Sequence, residues 1–112
     1  MLAAGTAPAH HSYTMFDLRQ PALVEGTVAK REWRNPHPFL WIYAKKPDKS
    51  GEYDLWSFEN GPVGIMQRMG WSRNTFQAGE PVVVQYFPAR DGRKAGYMAA
   101  TTGRLPVPAN RA

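Results

Sequence analysis

Five short runs of β-branched and aromatic residues, each bounded by turn-forming residues, constrain the fold of this chain more than any other feature. Such runs are typical of β-strands in a small all-β domain. They are ALVEGTVAKREW at 22–33, FLWIYA at 39–44, YDLWSFE at 53–59, PVVVQYF at 81–87 and GYMAATTGRL at 96–105. We therefore expect five strands, of which the first contains Gly26 and should bend or bulge there.

The residues between these runs predict how the strands connect. NPHP at 35–38 contains two prolines that cannot donate backbone hydrogen bonds, so a stiff loop should separate the first two strands. KKPDKSGE at 45–52 and the Asp-Gly pair at 91–92 are hairpin signals. VGIMQRMG at 63–70 spaces its apolar residues as a helix does and ends in glycine, which predicts one short helix before the fourth strand.

The predicted order is therefore β-β-β-α-β-β, the order of an OB-fold, although other small barrels and α+β sheets share it. We expect an all-β protein with one short helix, folded as a five-stranded OB-fold-like Greek-key barrel. The length of 112 residues suits one domain. We assign that domain to residues 10–105, between a leader at 1–9 and a flexible tail at 106–112.

The leader suggests where the protein acts. Ala7 and Ala9 occupy the −3 and −1 positions of a small-x-small signal-peptidase site that would be cut before His10. Residues 1–9 are too few for a complete signal peptide, so we interpret them as a signal-peptide remnant, with a flexible Ala/Gly leader as the alternative. The first interpretation predicts a periplasmic or secreted protein. No apolar run reaches the ~18 residues of a membrane-spanning helix, so we expect no membrane span.

The three histidines, His10, His11 and His37, all fall in or beside predicted loops. A loop histidine is most often simply solvated. Here, however, two prolines flank His37 and restrict its backbone, and cleavage before His10 would put an α-amine and an imidazole on one residue. A nitrogen-rich set of ligands favours Cu(II), so we interpret the three as a copper site, with zinc the less favoured ion. His10 and His11 can face one ion only if the chain turns between them, because neighbours in an extended segment point in opposite directions.

Glu59 ends the third strand and should face the same way as Leu55 and Ser57. It is a candidate additional metal ligand or general base, although such a residue more often pairs with a nearby Arg or Lys. The chain contains no Ser-His-Asp elbow, phosphate-binding loop or H-E-x-x-H motif. The catalytic residues therefore stay unassigned, and redox or hydrolytic chemistry would require a bound metal with open coordination positions.

A second interpretation rests on charge and aromatic residues. The net charge of +5 and the pI near 9.8 favour anionic partners. Trp41 and Trp56, with Arg90, Arg93 and Lys94 of the last hairpin, form a candidate ligand surface for a non-enzymatic OB-like module that binds an anionic oligomer, a saccharide or a partner protein. Export would disfavour nucleic acid as that partner. Core packing of the tryptophans and a solvated basic turn are the simpler alternatives.

Several motifs together resemble a family of small exported bacterial proteins known only as a domain of unknown function. They are AHHSYTMFD, VEGTVAKREWRNPHPFLWI, WSFENGPVGIMQRMGW, AGEPVVVQYFPARDG and the closing GR, and they cover most of His10–Arg104. The resemblance implies export. It also implies that the positions of the family motif are occupied by His10, His11, Asn35, Pro36, His37 and the region of Glu59. The short leader departs from the family, and the resemblance implies no activity.

Overall fold

The computed structural model describes residues 15–98, which contain five strands and one helix. The elements are β1 (Ala22–Glu32), β2 (Phe39–Lys45), β3 (Tyr53–Asn60), α1 (Val63–Arg68), β4 (Pro81–Pro88) and β5 (Ala95–Met98). The predicted order β-β-β-α-β-β is confirmed. The predicted fifth strand extends to residue 105, and its part beyond Met98 lies outside the described residues.

The five strands close into a barrel in the order β1-β2-β3-β5-β4. β1 pairs antiparallel with both β2 and β4, which closes the barrel. β5 lies between β3, to which it is parallel, and β4, to which it is antiparallel. Closure gives every strand two hydrogen-bonded neighbours and removes the free sheet edges on which other chains could pair. The prediction of an all-β, five-stranded barrel with one helix is confirmed.

The core follows the alternation of side chains along the strands. One face of each strand points into the barrel, where five aliphatic and aromatic side chains are completely buried: Leu40, Ile42, Phe58, Val82 and Val84. The opposite face of β2 carries Phe39, Trp41 and Tyr43, of which Tyr43 is clearly exposed. Period-two alternation therefore separates the packed interior from the outer surface.

β1 bends at a different residue from the predicted one. The sequence suggested that Gly26 would mark a bend or bulge, but the pairing of β1 with β2 shifts register between Val28 and Lys30, at Ala29. Gly26 instead lies directly against the backbone carbonyl of Tyr43, where a side chain would not fit. The glycine permits a close approach of two backbones, which is the second common reason for glycine in a strand.

The helix α1 buries Met66 in the core cluster of the barrel. It ends before Gly70, whose φ of 93° is readily adopted only by glycine. The following Trp71 is buried and packs on Phe76. No helix within residues 15–98 is long and apolar enough to cross a membrane.

The segment before β1 is attached to the outside of the barrel. Phe16 forms an isolated bridge with Ala89, and the amide of Asp17 donates to the carbonyl of Pro88 at 2.8 Å. The Phe16 ring is buried in a second apolar cluster with Ala89, Ala95 and Tyr97 on the outer face of β4 and β5. This attachment fixes where the chain arrives from its amino terminus.

Candidate functional site

The loop between β1 and β2 is fastened to the end of β3 by Asn60. The amide of Asn60 donates to the carbonyl of Pro38 at 2.8 Å, and the carbonyl of Asn60 lies 2.6 Å from Nδ1 of His37. Pro38 is fully buried, and the Asn35–Pro36 peptide bond is cis. The stiff loop predicted at 35–38 is therefore held to the barrel at both its histidine and its second proline.

The hydrogen bond at Nδ1 determines which tautomer the neutral His37 ring adopts. A carbonyl oxygen can only accept, so Nδ1 carries the proton that it donates to Asn60. In the neutral ring the lone pair then belongs to Nε2. Histidines that bind metals usually have this arrangement, in which the nitrogen that does not bind the metal donates to a carbonyl or carboxylate.

Glu59 lies beside the same histidine. Its Oε2 is 3.4 Å from Nδ1 of His37, and the two side chains are only 16% and 19% exposed. Glu59 is paired with Phe39 across β2 and β3 and lines a cavity of about 150 Å³ together with Ser57 and Met15. The predicted direction of the Glu59 side chain, on the face of Ser57, is confirmed.

The amino-terminal segment arrives at this cavity. The carbonyl of Met15 accepts from the amide of Arg90 at 2.9 Å, and the Phe16 ring lies 5.7 Å from the ring of Tyr97. Tyr97 is the neighbour of Glu59 in the parallel pairing of β3 and β5. The chain therefore passes next to Glu59 just after the histidine pair of the sequence.

His10 and His11 themselves lie outside the described residues. His11 is four residues before Met15 and His10 is five before it. Met15, the first described residue, lines the same cavity as Glu59.

The described residues do not by themselves make a complete metal site. Across residues 15–98 no group of three or more His, Cys, Asp or Glu side chains is close enough to hold an ion. His37 and Glu59 are close together. A third side chain of these types near His37 would have to come from outside the described range.

The two tryptophans of the predicted ligand surface lie on opposite faces of the sheet. Trp41 is on the outer face of β2, where its Nε1 donates to Oε1 of Glu32 at 3.0 Å. Trp56 packs inward, with ring centres 5.8 Å from Phe58 and 5.4 Å from Tyr86. The structure therefore does not bring Trp41 and Trp56 together.

The basic residues of the last hairpin all contact other parts of the chain. Arg90 Nε donates to the carbonyl of Phe16 at 3.1 Å, and Arg93 Nε lies 2.7 Å from Oδ2 of Asp91. The ammonium group of Lys94 lies 5.9 Å from the ring centre of Trp56. Of the predicted surface, the structure brings Lys94 to Trp56, and it places Arg93 at the cavity that Glu59 lines.

Three residues near the site were not anticipated from the sequence. Asn60 is completely buried, Arg31 donates from Nη1 to Asn60 Oδ1 at 2.6 Å, and Trp71 packs against the Arg31 guanidinium. Asn60 precedes Gly-Pro, a pair of residues that is typical of turns. The available signal was alternation, because Asn60 has the same parity as Phe58 on the inward face of β3.

Comparison with known proteins identifies one match at the level of a family. The family model described as a family of unknown function (DUF6152) matches residues 1–99. No curated protein and no solved structure matches the chain.

Proposed function

The chain belongs to DUF6152, a family of unknown function, and on that premise we propose that it is an exported barrel that binds one divalent metal ion, copper in preference to zinc. The ligands in this proposal are Nε2 of His37 and the imidazoles of His10 and His11. In this interpretation the chain is cut before His10, and the protein acts in the periplasm or outside the cell.

The observation that carries the proposal is the hydrogen bond of His37. Nδ1 is committed to the carbonyl of Asn60 at 2.6 Å, which leaves Nε2 to accept a proton or to bind a metal. The ring is also held in place, because its loop is bonded to β3 through Asn60 and Pro38. A fixed ring loses little entropy on binding, which favours metal affinity.

The second support is the position of the amino-terminal segment. Phe16 anchors it beside β5, and Met15 lines the cavity of Glu59. His11 and His10 precede Met15 by four and five residues. Their tether to the barrel raises their effective concentration at His37.

The ligand types favour copper. Every ligand in the proposal is an imidazole nitrogen, joined after processing by the α-amine of His10. The chain has no cysteine that could offer a thiolate instead. Cu(II) binds such nitrogen-rich sets more tightly than the other divalent first-row ions. Zinc should bind the same residues with lower affinity.

Glu59 has a supporting role in this proposal. Its Oε2 lies on the Nδ1 side of the ring, at 3.4 Å, whereas the metal would lie at Nε2. We therefore assign Glu59 as a positioning residue, which holds the ring and makes it a stronger ligand, rather than as a ligand to the same ion.

The proposal can be tested by titrating Cu(II) into the full chain in a calorimeter. We expect one ion per chain, with nitrogen hyperfine structure in the electron paramagnetic resonance spectrum. Loss of a residue that only hydrogen-bonds to a metal ligand typically lowers metal affinity roughly 10–100-fold. Copper affinity should fall by more than this in His37→Ala and in the double variant His10→Ala/His11→Ala. In Glu59→Gln the loss of copper affinity should lie within that range of about 10–100-fold.

Glu25→Gln is the matched control, because Glu25 is an exposed carboxylate on the outside of β1. Its copper affinity should equal that of the unmodified chain. Unchanged copper binding in His37→Ala would exclude the proposed site. A titration with Zn(II) checks the metal preference, and tighter binding of zinc than of copper would contradict it.

A further inference from the structure

The guanidinium of Arg31, a half-buried residue of β1, contacts the rings of two tryptophans. Its guanidinium carbon lies 5.1 Å from the ring centre of Trp33 and 5.0 Å from that of Trp71. Both distances are within the range of a cation–π contact. The rings shield the charge from water, and burial lowers the pKa of Arg31 to about 10, which leaves it protonated at neutral pH.

Only part of this guanidinium is hydrogen-bonded. Nη1 donates to Oδ1 of Asn60 at 2.6 Å and makes a long contact of 3.4 Å with the carbonyl of Phe39. Nε and Nη2 are buried, yet they have no acceptor among residues 15–98. The indole Nε1 of Trp71 is a third buried donor in the same state.

This combination is costly and points to a missing acceptor. A buried cation is expensive unless an anion or several hydrogen bonds compensate it. The contacts with the two rings compensate Arg31 only in part, and within residues 15–98 none of its hydrogen bonds is to a carboxylate. Buried donors without partners usually indicate a bound water or ion.

The geometry of the unused edge selects the class of ligand. Nε–H and Nη2–H point the same way along one edge of the planar guanidinium. Two parallel donors of this kind match the two oxygens of one carboxylate. Because the edge is enclosed, the ligand has to be small.

We propose that Arg31 binds a small free carboxylate through Nε and Nη2, between the rings of Trp33 and Trp71. The indole N–H of Trp71 is a further donor at this site. Trp71 lies between α1 and β4, outside the strands, so displacing it to admit the ligand would break no strand pairing. This site is separate from the proposed metal ligands.

The direct test is nuclear magnetic resonance of the ¹⁵N-labelled full chain without added metal. Sodium formate, the smallest carboxylate, is titrated at constant ionic strength against sodium chloride. We expect saturable shifts of the Nε–H signal of Arg31 and the indole signal of Trp71 with formate, and none with chloride. Sodium phosphate should shift them less, because a tetrahedral anion fits the enclosed edge poorly.

Two variants with matched chemistry sharpen the test. Arg31→Lys keeps the charge but loses the paired donors, so formate affinity, followed at the indole signal of Trp71, should fall on the order of 10- to 100-fold. Arg34→Lys is the control, because the Arg34 guanidinium also lies on a ring, that of Phe39, but the residue is exposed. His37→Ala should bind formate normally, which separates this site from the metal site.

Two results would overturn the inference. If formate leaves the Arg31 Nε–H signal where it is, no carboxylate binds at the buried edge. If Arg31→Lys binds formate as tightly as the unmodified chain, the carboxylate binds elsewhere. The titration of the unmodified chain decides the question even if Arg31→Lys does not fold.

Discussion

At the scale of single residues, Asn60 links His37 to Arg31, two residues that the sequence does not connect. Its carbonyl sets the tautomer of His37, and its side-chain oxygen accepts from Arg31. Its side-chain amide donates to the carbonyl of Phe58 and to the sulfur of Met98. A fully buried amide with its hydrogen bonds made fixes the geometry around it.

Gly26 provides a sharp prediction at this scale. A Cβ at this position would overlap the backbone carbonyl of Tyr43, so two paired strands would have to separate. We expect Gly26→Ala to lower the free energy of unfolding by about 2 kcal/mol, a typical cost of overpacking. Urea denaturation followed by circular dichroism measures it.

Gly64→Ala is the control for this prediction. Gly64 lies in α1 with open space around its Cα, so the added methyl group meets nothing. Alanine favours a helix over glycine, and the variant should be more stable by roughly 0.5–1 kcal/mol. Equal effects of the two substitutions would contradict the contact between Gly26 and Tyr43.

At the scale of elements, the segment around Phe16 determines how the amino terminus approaches the site. Its attachment combines one bridge to Ala89, two hydrogen bonds from Arg90, one from the amide of Asp17 to Pro88, and the burial of one ring. Burial of the ring makes the largest single contribution, because it contributes more than any one of these hydrogen bonds.

We therefore expect Phe16→Ala to lower the free energy of unfolding by about 3 kcal/mol, the low end for a buried phenylalanine. Leu18→Ala is the control two residues away, because Leu18 is 43% exposed. Its effect should stay within about 0.5 kcal/mol. Urea denaturation of both variants checks this, and similar losses in the two would mean that Phe16 does not anchor the segment.

At the scale of the whole molecule, closure couples all five strands. Each strand has two paired neighbours, so no strand can leave without breaking two sets of hydrogen bonds. We expect residues 15–98 to unfold in one cooperative transition, as small single domains usually do.

Tryptophan fluorescence and far-ultraviolet circular dichroism during urea unfolding should therefore have the same midpoint. Trp71 reports on the core and Trp41 on the outer face. Trp41→Phe should leave the fluorescence midpoint equal to that of the dichroism. Two separate midpoints would show that part of the barrel unfolds independently.

The strands and the helix were predictable because their signals are local. Alternation in FLWIYA and the Asp-Gly turn at 91–92 depend on neighbouring residues, and both predictions agree with the structure. The bulge was misplaced, because the sequence shows that Gly26 is permissive but not what lies against it. Trp56 and Phe58 are two residues apart on β3, so their side chains point to the same, inward face. The prediction that Trp56 shares a surface with Trp41 did not use this alternation.

The sequence alone determined the order of elements and the composition of the barrel, and it supplied His10, His11, His37 and Glu59 as candidates for the proposed metal site. Only the tertiary structure decided that His37 donates to a carbonyl 23 residues away, and that Arg31 lies between Trp33 and Trp71. Periodicity and turn chemistry act within a few residues of the chain. The state of an imidazole or a buried guanidinium depends on whichever groups strand pairing brings beside it.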